Sequence, residues 1–373
     1  MWSRRHVLTL LAAAPALGSC TQQPSADPAA PWRDPGVGET DPRRFALAHA
    51  ILAPNPHNTQ PWLAALDDAD GVTMFCDLER RLPFTDPNDR QITIGLGAFS
   101  ELYRLAAAQL GYDVHITPFP EGEPTPRLDA RPIAHLRLGA RGAPRNDALF
   151  AEITKRRTNR NPYEARAPEP AHFAQLSAAA GAAMQWTSDA APVAALRDLT
   201  WRAFEREIRT AGAGEETFRW LRFGQEEIAR HRDGLSIDGP MIPIMKAVGQ
   251  LDRAHMVDPD SIANRTNLSD WRRKAETAPA FVWLNTADDK PITRFQTGQA
   301  YARLNLAASQ LGLSIHPWSQ ALQEYSEMAD LYAEMRAALS VVEGGVAQML
   351  VRIGYADATP PSPRRDLETI IRA

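Results

Sequence analysis

The chain has 373 residues, a formal net charge of −4 and a hydrophobic fraction of 44%, which is the composition of a globular protein. At roughly 150 residues per domain, this length predicts two domain-sized units. A mildly acidic chain is a poor nucleic-acid binder, so no nucleic-acid partner is expected. The two cysteines exclude a disulfide framework and a four-thiolate zinc site, and the nine histidines show no metal-ligand spacing, so no metal is expected.

The first twenty residues have the pattern of an export signal. Arg4 and Arg5 precede an apolar stretch over 7–17 that is too short to span a bilayer, and small residues follow up to Cys20. Ser-Arg-Arg-x-x-Leu resembles a twin-arginine signal, and Leu-Gly-Ser-Cys resembles a lipobox, so we expect a Tat-type signal peptide over 1–19 and lipidation of Cys20. A general secretory signal with an incidental arginine pair is the alternative.

The segment after the signal predicts a tether. Residues 20–40 are rich in Pro, Ala, Gln and Gly, a composition typical of a flexible linker. We therefore expect a protein of the cell envelope or periplasm that contacts the membrane through its N-terminal lipid only.

An internal repeat organises the remaining chain. Residues 97–115 and 298–316 match at a constant offset of 201, with eight of nineteen positions identical. Each copy predicts a helix that ends at a glycine cap, Gly111 or Gly312, and continues into a short strand. A second match in the same order, 136–139 with 351–354, favours duplication over two helices of similar composition.

The repeat predicts an α+β fold of two fused, pseudo-symmetric halves, each a small mixed sheet flanked by helices. Half 1 is expected over 41–145 and half 2 over 146–373. Half 2 is longer because of an insertion at about 200–275, whose charges and aromatic residues predict several amphipathic helices. The insertion is either a packing element or a lid over a site.

A glycine pattern over Ile92–Ser100, G-x-G-x-x-S, predicts a strand that turns into a helix and invites a dinucleotide-binding interpretation. No acidic residue follows at the end of the next strand, and the second copy keeps only Gly298. The duplicated feature is therefore the helix and not a phosphate loop.

Two polar clusters could carry chemistry. The first, over 53–62, is a loop stiffened by three prolines, with amide side chains and His57 between them, which suits a flat ring edged with donors and acceptors. The second, over 155–162, places four positive charges and a threonine together, which suits a phosphate. A satisfied turn and a solvated basic helix end are the respective alternatives.

Taken together, these clusters resemble the nitroreductase family of FMN-binding proteins, and its Acg-like branch, in which one chain carries two nitroreductase-type halves. The basic cluster resembles the family's R-R-S-x-R phosphate motif, and the proline loop resembles its P-S-x-x-N-x-Q-P-W loop at the isoalloxazine. The resemblance implies one FMN cofactor, with the phosphate and ribityl end on Arg156, Arg157, Thr158, Arg160, Arg364 and Arg365. It also implies a ring lined by Pro54, Asn55, Pro56, His57 and Asn58, with Ser319 near flavin N5.

The departures from the family pattern are complementary. Half 1 has the proline loop but no arginine motif before it, whereas half 2 has the arginine motif, and only Gln185 and Trp186 echo the loop. In family homodimers each flavin lies at the subunit interface. We therefore expect a pseudo-dimeric monomer with one flavin per chain, bound by both halves.

The resemblance implies an exported FMN-dependent oxidoreductase that transfers hydride or electrons through the flavin to a small electrophile of the nitroaromatic or quinone class. No protein side chain is expected to act as a catalytic acid or base, and the electron donor is open. A protein that binds or sequesters FMN without turnover is the alternative, and a structural lipoprotein with a degenerate site is a third hypothesis.

Overall fold

Two sheets and the helices that cover them form the body of the protein in a computed structural model that describes residues 27–68, 70–181 and 184–372. The predicted signal peptide and Cys20 lie outside the described residues. The expected α+β fold is confirmed. The helices are α1 Pro42–Ala50, α2 Arg90–Gln109, α3 Pro170–Ala180, α4 Ala190–Arg209, α5 Ala211–Trp220, α6 Gly224–His231, α7 Ile242–Ala247, α8 Arg253–Val257, α9 Ile262–Glu276, α10 Pro291–Gln310 and α11 Ala329–Ala338. The strands are β1 Trp62–Leu66, β2 Gly71–Cys76, β3 Tyr112–Pro118, β4 Ala134–Arg141, β5 Met184–Thr187, β6 Leu221–Phe223, β7 Leu235–Ile237, β8 Ala280–Thr286, β9 Ser314–Pro317, β10 Val346–Gly354 and β11 Ile371–Arg372.

The two main sheets have the same strand order, which makes the sequence repeat a structural one. Half 1 contributes β1-β2-β4-β3 and half 2 contributes β5-β8-β10-β9, with antiparallel neighbours throughout. The last strand of the chain, β11, leaves its own half and pairs with β1 in parallel, so that Ala64 faces Ile371. The end of half 2 therefore completes the sheet of half 1.

The repeated helices α2 and α10 cross at their glycines. A Cβ atom added to Gly97 would lie 2.0 Å from the carbonyl oxygen of Phe295, and one added to Gly298 would lie 2.0 Å from that of Ile94. Gly298 is the repeat equivalent of Gly97, and Phe295 is the repeat equivalent of Ile94, so the two contacts are related by the repeat. The crossing therefore lies on the pseudo-twofold axis. Because no side chain fits between the backbones, only glycine allows this approach.

The strand expected at the start of the G-x-G-x-x-S pattern is wrong, because all of Ile92–Ser100 lies inside α2. The Asp86 carboxylate accepts hydrogen bonds from the backbone N–H groups of Gln91 at 3.0 Å and Ile92 at 2.9 Å, which satisfies the first turn of this helix. The glycines serve helix packing and not a turn. The predicted glycine caps are confirmed, with φ of +91° at Gly111 and +68° at Gly312.

The insertion lies between β5 and β8 and consists of α4 to α9 with the short parallel pair β6–β7. The predicted helices are confirmed, and the insertion begins before position 200 because α4 starts at Ala190. Among the described residues, no helix combines the length and the apolarity needed to cross a bilayer.

The flexible tether predicted over 20–40 is corrected for the part that the structure describes. Trp32 is only 5% exposed, and its indole N–H donates to the carbonyl of Ser362 at 2.7 Å. The backbone N–H of Arg364 in turn donates to the carbonyl of Pro28 at 2.9 Å. The composition of the segment gave no sign of this docking, because its apolar anchor is a single tryptophan.

We expect Gly97→Ala to destabilise the protein by at least about 3 kcal/mol, because the new methyl group would overlap the backbone of α10. The measurement is the free energy of unfolding in urea. Gly214→Ala is the matched control, since its Cβ would lie 3.9 Å from the nearest atoms of Val257 and alanine favours the helix by up to about 1 kcal/mol. Equal stability of the two variants would contradict the close crossing.

Candidate functional site

The proline loop of half 1 begins where α1 ends. Its core is a short 3-10 helix over Pro56–Asn58, and the Asn55 side chain ties the loop to itself by accepting from the backbone N–H of Gln60 at 2.8 Å and donating to the carbonyl of Ala53 at 3.1 Å. The loop packs on α2, where a Cβ on Gly95 would lie 3.2 Å from that of Asn55.

The loop is held in a strained backbone conformation. Three non-glycine residues within four positions have positive φ: His57 at +48°, Asn58 at +52° and Gln60 at +53°. Each left-handed residue costs of order 1 kcal/mol or more and persists only where its surroundings enforce it. Clustered strain of this kind is typical of ligand-binding loops.

The amide groups of the loop are bonded to distant parts of the chain. The Asn58 side-chain N–H group donates to the carbonyls of Gly234 and Pro363, each at 3.1 Å, while its oxygen accepts from Arg364. The Gln60 amide donates to the carbonyl of Arg232 at 2.9 Å and accepts from the backbone N–H of Arg365 at 2.8 Å. These amides enforce the loop conformation. The sequence had suggested that Asn58 lines a ring, but its amide is already bonded within the protein.

Two buried arginines meet the loop from half 2 and the C-terminal segment. The Arg156 guanidinium donates to the carbonyl of Leu52 at 3.1 Å, and that of Arg364 donates to the carbonyl of Ala53 at 3.1 Å. These carbonyls follow the C-terminus of α1, where the helix dipole favours a cation. The Nη1 group of Arg156 and the Nε group of Arg364 are buried without a partner among the described residues.

Trp32 lies against this arginine pair and its neighbour. The guanidinium carbons of Arg156, Arg157 and Arg364 lie 5.3, 4.7 and 4.9 Å from its ring centroid. Cation–π contacts of this kind stabilise charge that has been removed from water. Trp32 therefore holds three guanidinium groups in one layer.

Arg160 and His57 come together from opposite halves. Arg160 is exposed, and burial of its guanidinium group among neighbouring atoms lowers its pKa. Burial, and then the charge of Arg160, lowers the pKa of His57 to about 4. Neither side chain makes a hydrogen bond or ion pair within the described parts of the chain, so both are available to a ligand.

An aromatic group lies near Arg160 on the half 2 side. Arg352 donates to Nδ1 of His316 at 3.1 Å and lies over the ring of Tyr163 at 4.1 Å. Burial, followed by the charges of Arg352 and Arg160, lowers the pKa of His316 well below its usual range. The ring of Trp271, from the insertion, packs 5.4 Å from that of His316. His316 is thus a structural acceptor, as the sequence had suggested.

The arginines of this region lack counter-ions. Five arginines are buried among the described residues, and two of them have carboxylates: Arg90 lies 3.7 Å from Glu324 and Arg294 lies 2.5 Å from Asp289. The other three are Arg156, Arg352 and Arg364, and no described carboxylate pairs with any of them. An unpaired buried charge is costly, so this arrangement indicates a site for an anion.

The other predicted phosphate residues lie at different places. Arg157 donates to the carbonyls of Thr154 and Arg156, both at 2.8 Å, beside Trp32, while Thr158 bridges to Ile315 of β9.

Two predicted residues are not brought to this cluster by any contact in the structure. Ser319 donates to the carbonyl of Leu350 at 3.3 Å. The Arg365 side chain lies between Asp77, at 3.8 Å, and the carbonyl of Gln60, to which it donates at 3.4 Å, so it contacts the loop but not the cluster at Trp32.

The insertion closes one side of the loop. The backbone N–H of Gly234 donates to the carbonyl of Asn58 at 3.1 Å, and the neighbouring Asp233 accepts from Arg80 at 2.8 Å. Arg80 also donates to the carbonyl of Thr59 at 3.0 Å. The insertion therefore packs against the loop and covers one side of it. These contacts fit both the packing and the lid interpretation of the sequence.

Comparison with known proteins places the chain beside a group of mycobacterial proteins. No family model matches the sequence. The chain is 25% identical over 334 residues to a protein of Mycobacterium tuberculosis strain H37Rv named "Putative NAD(P)H nitroreductase Rv3131", and the match covers 88% of this chain and 90% of that protein. A second protein of that strain, "Putative NAD(P)H nitroreductase acg", is 33% identical over 127 residues, which cover 33% of this chain and 36% of its own.

Two of these relatives have names that describe them as putative NAD(P)H nitroreductases. A third relative of the same strain, 24% identical over 352 residues, has the name "Uncharacterized protein Rv3127". Among solved structures, the FMN and NADPH-dependent nitroreductase NfnB from sphigopyxis sp. strain HMH is 19% identical, with a TM-score of 0.38 over 60% of this chain and 98% of its own.

Sequence reasoning missed Trp32 and Arg352. Trp32 lay in a segment interpreted as linker, and no local pattern marks it. Arg352 had a signal, because it is the repeat equivalent of Arg137, which is exposed and pairs with Asp70 at 2.9 Å. An arginine that is exposed in half 1 and buried without a carboxylate in half 2 has a different role in each half.

We expect the stability of the ligand-free protein to depend on pH through His57. The unfolded histidine has a pKa near 6.5 and the folded one a pKa of about 4, so the unfolded state binds more protons between these values. The contribution of His57 to the free energy of unfolding should therefore decrease as the pH falls from 6.5 toward 4 and level off below 4. His57→Asn, which tolerates the left-handed backbone, should lose this component. The check is urea unfolding at several pH values; identical slopes for both proteins would contradict the burial of His57.

Proposed function

We propose that this protein is an FMN-dependent oxidoreductase of the nitroreductase type that reduces a small electrophile such as a nitroaromatic compound or a quinone. The observation that carries the proposal is the set of buried arginines without carboxylates beside a strained loop, built from both halves of the chain. The names of its relatives support the reaction class and an NAD(P)H electron donor.

The residues present fit FMN. Its phosphate carries nearly two negative charges at neutral pH and needs several charge-assisted donors, which guanidinium groups supply in pairs. Arg156 and Arg364 each retain a buried N–H group without an acceptor among the described residues, and Arg160 has no protein partner there. Pro54, Asn55, Pro56 and His57 would line the ring, as their position in the strained loop supports.

When bound, FMN supplies the hydride and electron transfer chemistry, and the protein supplies binding, orientation and access. The arginines would neutralise the phosphate and fix one end of the cofactor. His57, with its lowered pKa, stays uncharged at neutral pH and so adds no positive charge beside Arg160. The insertion holds the loop through Gly234, and through Asp233 by way of Arg80.

The asymmetry of the halves supports one flavin per chain. The half 2 segment equivalent to the loop runs from Gly181, at the end of α3, into β5, where Trp186 stacks on Phe173 with ring centroids 3.9 Å apart. The half 1 segment before α1 contains Trp32 and not an arginine cluster. The second pseudo-symmetric position therefore lacks the elements that define the first.

We expect Arg160→Ala to weaken FMN binding by roughly ten- to a hundredfold, because it removes a charge-assisted contact to the phosphate without breaking any hydrogen bond seen in the protein. Riboflavin, which has no phosphate, should bind weakly to both proteins. Fluorescence titration measures both affinities, and the wild type should saturate at one FMN per chain.

Lys155→Ala is the matched control, since Lys155 belongs to the same basic run and is exposed like Arg160, but its charge is paired with Glu152 at 2.9 Å. Its FMN affinity should equal that of the wild type. An equal loss in both variants, or an equal loss of FMN and riboflavin in Arg160→Ala, would overturn the phosphate assignment. Bleaching of bound flavin by NAD(P)H and its reoxidation by a nitroaromatic compound or quinone would separate an enzyme from a sequestering protein.

The proposal includes export and anchoring to a membrane, which the sequence of residues 1–20 supports. We expect Cys20→Ala to move the protein from the membrane fraction to the soluble fraction of the envelope, because the thiol that accepts the lipid is absent. Cell fractionation followed by immunoblotting measures this, with Cys76→Ala as the control because Cys76 is buried in the fold. Retention of the Cys20 variant in the membrane fraction would refute the anchor.

A further inference from the structure

A second group of arginines surrounds a cavity of about 270 Å³ on the other side of the proline loop. Four arginines line it: Arg80 from half 1, Arg219 and Arg222 from the insertion, and Arg365 from the C-terminal segment. We call it the insertion cavity, since it opens where the insertion meets half 1. It is separate from the site at Arg160, because none of these residues contributes to the cluster at Trp32.

The carboxylates of the insertion cavity do not balance its cations. Asp233 pairs with Arg80 and with Arg222, each at 2.8 Å, and Asp77 pairs with Arg80 at 3.2 Å and more loosely with Arg365 at 3.8 Å. Within the described residues, Arg219 has no carboxylate partner and donates only to the carbonyl of Glu79 at 3.0 Å. Three carboxylates, Asp77, Asp233 and the exposed Glu79, thus line the cavity with four guanidinium groups, and neither Glu79 nor Arg219 has an ion pair among the described residues.

A tryptophan adds a donor and a surface to this cavity. Trp220 is 4% exposed and lies within 6 Å of three guanidinium groups, with Arg80, Arg219 and Arg222 at 5.9, 5.7 and 5.8 Å from its ring centroid. Its indole N–H is buried and has no acceptor among the described residues. A buried donor without a partner in a cavity wall indicates an acceptor that the protein itself does not provide.

We propose that the insertion cavity binds a small phosphate-bearing anion, such as pyrophosphate or the diphosphate of a nucleotide. A carboxylate can satisfy one guanidinium fork with its two oxygens, whereas guanidinium groups that converge from three parts of the chain require an anion with more oxygens and more charge. The proposal goes beyond the flavin function and does not depend on it.

Binding of the anion would be coupled to the conformation of the proline loop. Arg80 donates to the carbonyl of Thr59 at 3.0 Å, and Arg365 contacts Gln60 through both its backbone and its side chain. Two of the four cavity arginines therefore also hold the backbone of the loop. A ligand that draws these guanidinium groups toward itself changes the forces on the loop, and the coupling acts equally in both directions.

The test is calorimetric titration of the purified chain with sodium pyrophosphate at low ionic strength. We expect binding that weakens at higher salt, because the contacts are ionic. Arg219→Ala should weaken it about tenfold or more, and Glu79→Gln should tighten it severalfold, because it removes an exposed carboxylate that lines the cavity. The gain in Glu79→Gln cannot come from damage to the fold.

Three controls locate the binding. Arg253→Ala, an exposed arginine of the same insertion that pairs with Glu215 at 2.7 Å, should leave the affinity unchanged. Arg160→Ala, measured on the FMN-loaded protein, should also leave the affinity unchanged, which separates this cavity from the flavin site. Displacement of pyrophosphate by NAD⁺ or NADP⁺ would identify a dinucleotide as the ligand, and no displacement would identify the free anion.

The proposal is overturned by any of three results: no binding at low ionic strength, equal losses in Arg219→Ala and Arg253→Ala, or loss of pyrophosphate binding in Arg160→Ala. Because the flavin assignment is tested by FMN titration of Arg160→Ala and Lys155→Ala, failure of one proposal leaves the other intact.

Discussion

The contact between Gly97 and Gly298 fixes the geometry on which the rest of the molecule depends. At this point two helices approach until a Cβ on either glycine would overlap the other backbone, and such a contact has no freedom to slide. The orientation of the halves is therefore set by backbone and not by adaptable side chains. With that orientation, Arg156 of half 2 reaches the carbonyl of Leu52 at the end of α1, and Tyr301 of α10 faces Arg156. A site shared between halves requires this rigidity.

The site itself is built at a cost to stability. Arg156, Arg352 and Arg364 are buried without carboxylates, and burial lowers the pKa of all three, with that of Arg156 and of Arg352 at about 10. The protein compensates with helix-terminal carbonyls and aromatic rings, which attract a cation without neutralising it. A carboxylate would stabilise the empty protein better, but it would also occupy the position of an anionic ligand. The same argument applies to the insertion cavity, where the excess of positive charge is smaller and lies closer to the surface.

The fold was largely predictable from the repeat, because duplication leaves matched helices, glycine caps and strands that sequence comparison detects directly. The arginine motif and the proline loop were also visible as local patterns. The partners of these clusters were not, since Trp32, Arg352 and Gly234 reach the site through tertiary packing that no local spacing encodes. The G-x-G pattern was misassigned to a strand and turn for a physical reason: a glycine that admits a phosphate and a glycine that admits another helix satisfy the same steric requirement.

The site is closed by the two ends of the folded chain. Trp32 and Ser362, 330 positions apart, are joined by a hydrogen bond, and β11 then pairs with β1 beside the loop. A nascent chain emerging from the ribosome therefore carries the proline loop but lacks Arg364 and β11 until about 300 more residues have been added. The shared site therefore forms only after this long separation has been synthesised, and a truncation that removes Arg364 would leave the loop and the tryptophan without the guanidinium that joins them.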